Sequence, residues 1–315
     1  MKNKPVYVEL DINASLEELW ERTQTPELHE QWDLRFSEIQ YLPKPAEAER
    51  QKFLYRTRIG FGLRIEGTGE TGSETDEKSG ERLSTLAFAS EQKVSLIRQG
   101  GGYWQYKPQG RHVTFSTLFD YSTRFGIAGQ LLDRWLFRPM FGYATAWSFD
   151  RLRIWLEERI PPSVTAERAL IHYGCVFLLC ALWCYEGIVP KLLFPEWGEL
   201  TFMSQTGWFD GAERQAVQLL GIGEIGFGLI TAFLHRRRWT ALAQIAVLLS
   251  VTLPAMIYNP ELFRSPFNPL TLMLPMIALC LAANGTKRHL PDARRCSRRL
   301  SRARTTRRRS DEIHL

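Results

Sequence analysis

Four runs of nearly uncharged, mostly apolar residues, at 169–189, 216–234, 239–258 and 269–284, constrain this chain more than any other feature. Crossing the hydrocarbon of a bilayer takes about 20 such residues in a helix. The first three runs reach that length, and the fourth does if it begins near residue 267. A helical bundle in a soluble protein would need charged outer faces, and these segments have almost none. The mean hydropathy of −0.23 conceals them, because residues 1–165 are rich in charge and glycine and residues 286–315 are strongly polar. The expectation is a soluble N-terminal region followed by four membrane spans.

Orientation follows from the Lys and Arg counts of short flanking segments. Arg151, Arg153, Arg159 and Arg168 precede the first span, and Arg236, Arg237 and Arg238 fill the turn between the second and third. The last thirty residues carry a net +8 against +6 for the whole chain, so the rest sums to −2. The intervening loops are weakly charged or acidic: Lys191 and Arg214 are offset by Glu196, Glu199, Asp210 and Glu213, and Arg264 stands alone. This alternation predicts both termini in the cytoplasm, with Trp197, Trp208 and Phe209 at the outer interface and Trp239 at the inner one. The N-terminus has no apolar segment of signal-peptide type, so no cleavable signal is expected. The basic tail is expected to be disordered and to meet anionic lipid headgroups. A specific nucleic-acid partner is not expected, since no fold would supply specificity.

Within the spans, Glu224 lies ten residues from Arg214 and eleven from His235, near mid-membrane. An intramembrane acid normally faces the bundle interior and marks function. At similar depth the other spans offer Cys180, Trp183, Ser250 and Thr252 but no Lys or Arg, so Glu224 is expected to be protonated and hydrogen-bonded, or to face a polar cavity. Glu186 is expected to pair with Lys191 at the outer end of the first span. Cys175, Cys180, Cys184, Cys280 and Cys296 show neither CxxC nor metal-ligand spacing. They read as helix-packing residues, and no metal or cofactor is predicted.

In the first 160 residues, Val6, Val8, Leu10 and Ile12 alternate with polar neighbours as in a half-buried strand. Ser15 and Glu18 form a capping-box start for a short helix, and Pro26 opens a second. Strand-like runs follow at 36–42, 51–59, 63–71, 82–89, 94–98, 103–106 and 112–122, broken by turn chemistry that includes Gly100, Gly101 and Gly102. Helical periodicity takes over at 128–158, where Pro139 should kink or restart the helix. No GxSxG, HExxH or P-loop pattern occurs. Asp33, next to Trp32, is a candidate acid or base, against the commoner role of a surface or capping aspartate, and no catalytic residue is assigned.

The opening from Val6 to Leu10, then Ala14 to Trp20, then Pro26 to Asp33 resembles the first strand and helix pair of the START-like (SRPBCC, helix-grip) superfamily. The resemblance covers residues 4–158. It implies an α+β fold, an antiparallel sheet around a long C-terminal helix, that binds a hydrophobic small molecule or lipid. The candidate lining is Trp32, Phe53, Tyr55, Trp104, Phe115, Phe119 and Trp135, each weighed against ordinary core packing, with Arg56, Arg58, Arg64 and Arg98 as candidate polar anchors. The stretch from Trp183 to Leu193 and the stretch Gly221 to Gly226 resemble the first two helices of the DoxX-like four-helix membrane family, over about residues 168–285. That resemblance implies Glu186, Lys191 and Glu224 as its polar positions and points to a bacterial inner membrane. Some of its relatives are linked to quinone-dependent oxidation of sulfur compounds, which here would need a membrane partner subunit or quinone alone. The expected organisation is thus 1–160 START-like, 168–285 DoxX-like four-helix transmembrane bundle and 286–315 disordered. Three functions stay open: tethered hydrophobic-ligand or lipid binding, a quinone-linked oxidoreductase component, and a structural or assembly protein without ligand.

Overall fold

The computed structural model describes residues 4–44, 50–60, 62–266 and 268–299. The chain divides into two compact units: Met1–Thr165 with the segment from Pro291 onward, and Ala166–Leu290.

In the first unit the alternating residues form β1 (Val6–Ile12). Helix α1 (Leu16–Gln24) follows, where Ser15 Oγ accepts the Glu18 N–H at 3.2 Å. Helix α2 (Pro26–Trp32) starts on a proline, whose missing N–H is an unsatisfied donor there in any case. Six further strands run antiparallel: β2 (Glu38–Tyr41), β3 (Gln51–Gly60), β4 (Leu63–Thr75), β5 (Arg82–Ala89), β6 (Ile97–Gln109) and β7 (His112–Thr123). The order β1-β7-β6-β5-β4-β3-β2 is a meander whose last strand is covered by the first. Helix α3 (Gly126–Leu132), a π turn at Asp133–Phe137 and helix α4 (Arg138–Glu158) then run on without a break. The sheet grips α4, with Phe149 stacked on Phe115 of β7 at 4.4 Å. This is a helix-grip fold.

The expected break at Gly100–Gly102 is instead strand interior, and two short strands become one β6. A Cβ on Gly102 would lie 2.2 Å from the Leu118 carbonyl oxygen and 2.5 Å from Phe119 Cβ. Glycine is there for close approach to β7, not for a turn. Pro139 sits at the start of α4 just after the π turn. The widened turn accommodates the carbonyl that the missing Pro139 N–H would leave unpaired in a regular helix.

The tail also differs from expectation. Residues 291–299 fold onto the first unit, while 300–315 lie outside the described residues. Glu9 and Ser297 exchange N–H···O bonds of 2.9 Å in both directions, which places the tail along β1. Asp292 N–H donates to buried Asp150 Oδ2 at 2.7 Å, and Cys296 Sγ lies 3.2 Å from the Ala146 carbonyl. The basic composition hid two small apolar anchors, Ala293 and Cys296, both buried.

In the second unit α5 (Pro162–Glu186) continues as a π-helical segment Gly187–Leu193. Helices α6 (Glu199–Thr206), α7 (Glu213–Phe233), α8 (Thr240–Tyr258) and α9 (Pro269–Thr286) follow. Among the described residues four stretches are long and apolar enough to cross a membrane: Pro162–Leu193, Glu213–Phe233, Thr240–Tyr258 and Pro269–Thr286. Leu179, Trp183, Leu248, Met273, Met276 and Cys280 make the shared core. Helix α7 buries Val217, Gly221, Glu224, Gly228 and Thr231, spaced three or four apart on one face. A Cβ on Gly221 would sit 2.7 Å from the Gly187 carbonyl oxygen, so the two backbones touch as small residues allow in membranes.

Candidate functional site

The polar centre of the membrane unit forms around Lys191. Pro190 lacks the N–H that an α-helix would direct to the Glu186 carbonyl, and the helix widens into its π segment there. Lys191 Nζ lies 3.4 Å from that carbonyl, 3.1 Å from Glu224 Oε2 and 3.2 Å from Glu199 Oε1. The Lys191 and Glu224 side chains are 5% and 6% exposed, so this is a buried ion pair. Sequence reasoning gave Glu224 no cationic partner, because it ended the first span at residue 189 and left Lys191 in the loop. The π segment carries the helix on to Leu193, and the long lysine stem covers the remaining depth. The pair expected between the Glu186 and Lys191 side chains is replaced by this arrangement, in which Glu186 contributes its carbonyl. Glu199, which sequence reasoning counted only as loop charge, is held by α6.

A second polar cluster in the same unit was not foreseen. His172 Nδ1 is 2.8 Å from the Ala283 carbonyl, which can only accept, so Nδ1 carries the proton. His172 Nε2 then faces His235 Nδ1 at 2.7 Å, an arrangement two neutral rings can satisfy. Trp183 Nε1 donates to Gln244 Oε1 at 3.1 Å, which satisfies the indole inside the apolar core.

In the helix-grip unit, Trp32, Phe53, Tyr55, Trp104, Phe115 and Phe119 are all buried. They do not line one shared chamber. Trp32, Trp104 and Phe115 pack on one another and on Phe149, at centroid distances of 4.4–6.1 Å. Phe53 and Tyr55 belong to a separate cluster with Ile39, Phe36, Leu86 and Phe88. An internal void of about 40 Å³ lies where the clusters meet, bounded by His29, Phe36, Ile39, Phe53, Ser84 and Trp104 among others. That volume suits a few waters and falls short of the roughly 300–1,000 Å³ of ligand pockets. An open groove of about 750 Å³ crosses β3 to β7 at the level of Phe53, Gly69, Phe88, Gly100 and Tyr121, with Lys52, Glu70 and Asp120 on its walls. Phe53 lines both spaces. Its ring tip lies over Gly69, where a Cβ would come within 2.3 Å of it.

Trp135 departs from expectation. It is 75% exposed and faces outward from the π turn, because the inward position there is taken by Asp133, fully buried and bonded to Tyr121 and Arg138. Arg56 pairs with Glu38 and Glu66 on the outer side of the sheet rather than anchoring a ligand. A buried cation near the interior aromatics is Arg35, 8% exposed, 5.5 Å from the Phe119 ring and 5.9 Å from Phe141. It holds Asp33 through bonds of 2.9 and 2.7 Å, and His29 Nε2 lies 3.1 Å from the same carboxylate. Burial pushes the Asp33 carboxyl up, but the Arg35 charge and the His29 hydrogen bond outweigh it and hold it well below the usual range. Asp33 is thus a buried clamp between α2 and the segment after it. Tyr55 keeps its proton, its phenol pushed up to about 12 by burial. Among the described residues no cluster of three or more His, Cys, Asp or Glu could hold a metal ion.

Residues 180–281 match the DoxX-like family. Over 240 residues the chain is 41% identical to the "Uncharacterized membrane protein YndG" of Bacillus subtilis (strain 168), covering 76% of this chain and 81% of that protein. Among solved structures, TTHA0849 from Thermus thermophilus aligns at 17% identity and a TM-score of 0.37, over 47% of this chain and 94% of its own. A STAR-related lipid transfer protein from Xanthomonas axonopodis aligns at 16% identity and a TM-score of 0.37, over 47% and 82%. The chain belongs to the family of the membrane protein YndG, and joins a helix-grip unit to a DoxX-like membrane domain.

Proposed function

We infer that this membrane protein binds a hydrophobic small molecule or lipid in its helix-grip unit, next to the bilayer from which such a molecule would come. The observation that carries the reading is the position of Phe53, shared by the small internal void and the open groove. Rotation of that one ring would join the two spaces. His29 and Ser84 at the void would then supply polar anchors within an otherwise apolar wall. The test is uptake of a pyrene-labelled fatty acid by the detergent-solubilised chain. Phe53→Ala should speed association, and Phe53→Trp, which fills the void, should suppress it. Equal uptake by both variants and the parent chain would refute this entry route.

The reading includes a bacterial inner membrane and both termini in the cytoplasm. The basic flanking segments support it, as does the return of residues 291–299 to the first unit after an even number of spans. Reporter fusions after residue 160 and at the C-terminus should both report the cytoplasm. A periplasmic signal from either would overturn the orientation.

A second reading, a quinone-linked oxidoreductase component, is favoured by the buried Lys191–Glu224 pair, since intramembrane ion pairs commonly mark proton or ligand pathways. It expects Glu224→Gln to abolish quinol-dependent turnover in membranes without loss of folded protein. Unchanged turnover in membranes lacking the chain altogether would eliminate it.

A further inference from the structure

The helix entering the grip carries a second apolar surface that neither the core nor the ligand reading uses. Along α3 and the π turn, Ile127, Leu131 and Trp135 fall four residues apart and are 79%, 53% and 75% exposed. Leu132, Leu136 and Met140 form the adjacent stripe, at 50%, 52% and 58%. Scattered exposed apolar residues are ordinary on protein surfaces, but two parallel stripes of large side chains on one helix face are not. The face is also braced from below. Beneath it Asp133 is fully buried, accepting from Tyr121 Oη at 2.7 Å and from Arg138 Nε at 2.8 Å, and Arg138 reaches on to Asp120 at 2.9 Å.

The charge around these stripes is one-sided. Between Arg124 and Tyr143 the sole acid is Asp133, which is buried and neutralised by Arg138. Arg134 is exposed and lies 5.8 Å from the Trp135 ring, at the edge of the apolar face. Large apolar side chains, one tryptophan and an exposed arginine, with the neighbouring Asp120 carboxylate already paired to Arg138, are what the interface of an anionic bilayer accepts. Four spans on the same chain keep this unit at a membrane surface, so the local concentration of lipid is high and even a weak site stays occupied.

We propose that the face formed by residues 127–140 docks onto the lipid bilayer. Ile127, Leu131 and Trp135 enter the acyl boundary, and Arg134 contacts anionic headgroups. A second copy of the chain or another protein would compete for the same apolar surface, but neither accounts for an edge whose exposed carboxylate, Asp120, is already paired to Arg138 while Arg134 stays exposed. The inference is independent of what the grip interior binds.

The test uses the full chain in nanodiscs of phosphatidylcholine with phosphatidylglycerol, with the native cysteines replaced by alanine. Single NBD labels are placed at Ile127→Cys, at Leu131→Cys and, as a control, at Glu77→Cys, an exposed position in the turn between β4 and β5, away from the groove. Size-exclusion elution of each variant at the parent position confirms folding. Doxyl-labelled lipids should quench the labels at 127 and 131 with loss of most of their fluorescence and leave the label at 77 unchanged. Aqueous iodide should do the reverse. Iodide quenching at 127 and 131 equal to that at 77, with no doxyl effect, overturns the proposal. So does protection from both quenchers together with cross-linking between copies through residue 131, because a second copy then covers the face.

Discussion

Changing Lys191 to methionine keeps most of the stem and removes the ammonium, which strands Glu224 in the membrane interior. Removing one partner of a buried ion pair costs about 3–5 kcal/mol. Glu199, the other partner, is 27% exposed and can turn to water, so the lower end applies, about 3 kcal/mol. Glu224→Met should cost less, about 1–2 kcal/mol, because Lys191 keeps Glu199 at 3.2 Å. If the two side chains act as a pair, the double variant does not lose the additive 4–5 kcal/mol but only about 1 kcal/mol, as an apolar contact replaces the pair. The assay is reversible unfolding in mixed dodecyl maltoside and SDS micelles, followed by tryptophan fluorescence. Trp183 in the membrane core reports loss of that unit. Additive losses, or a Lys191→Met cost below about 0.5 kcal/mol, would refute the buried pair.

Asp33 is depressed in the folded state, so its contribution is present above the unfolded value near pH 4 and is lost as pH falls through the lower folded value. Asp33→Asn should lower urea stability of the first unit at pH 7 by about 3 kcal/mol, and the gap to the parent chain should shrink below about pH 3. Deleting residues 291–315 removes the Asp292 bond to Asp150 and exposes the sites of Ala293 and Cys296. The thermal midpoint of the first unit should drop by several degrees for a loss of about 2 kcal/mol, and protease should cut near β1 sooner. Gly102→Ala meets backbone and Cβ atoms of β7 at 2.2–2.6 Å and should leave little folded protein, whereas Gly110→Ala meets nothing within 4 Å. Gly110 has a φ of +64°, so its alanine variant should still cost about 1 kcal/mol in thermal unfolding.

The membrane domain was the more legible half, because hydrocarbon thickness imposes a length that composition reveals directly. What composition could not reveal was where the first span ends. Pro190 reads as a stop signal, yet the π segment lets the helix continue and brings Lys191 to Glu224. The grip was legible in its order of elements, since the alternation of β1 and the long helical period survive in the sequence. Its interior was less so. Burial of Trp32, Phe53, Tyr55, Trp104, Phe115 and Phe119 follows from their type, but which of them pack together depends on cross-strand register. Periodicity alone could not place Trp135. It lies at the same spacing as core residues, and the wider π turn rotates it outward while Asp133 takes the inner position. The histidine pair His172 and His235 lies sixty-three residues apart and leaves no local signal.

Native mass spectrometry of the full chain released from bacterial membranes tests most directly whether the grip holds a hydrophobic molecule. The prediction is a discrete bound mass that survives mild activation and falls in occupancy in Phe53→Trp, with no change in Lys191→Met. Spectra that show only the bare chain, or the same lipid adducts in all three proteins, would contradict it.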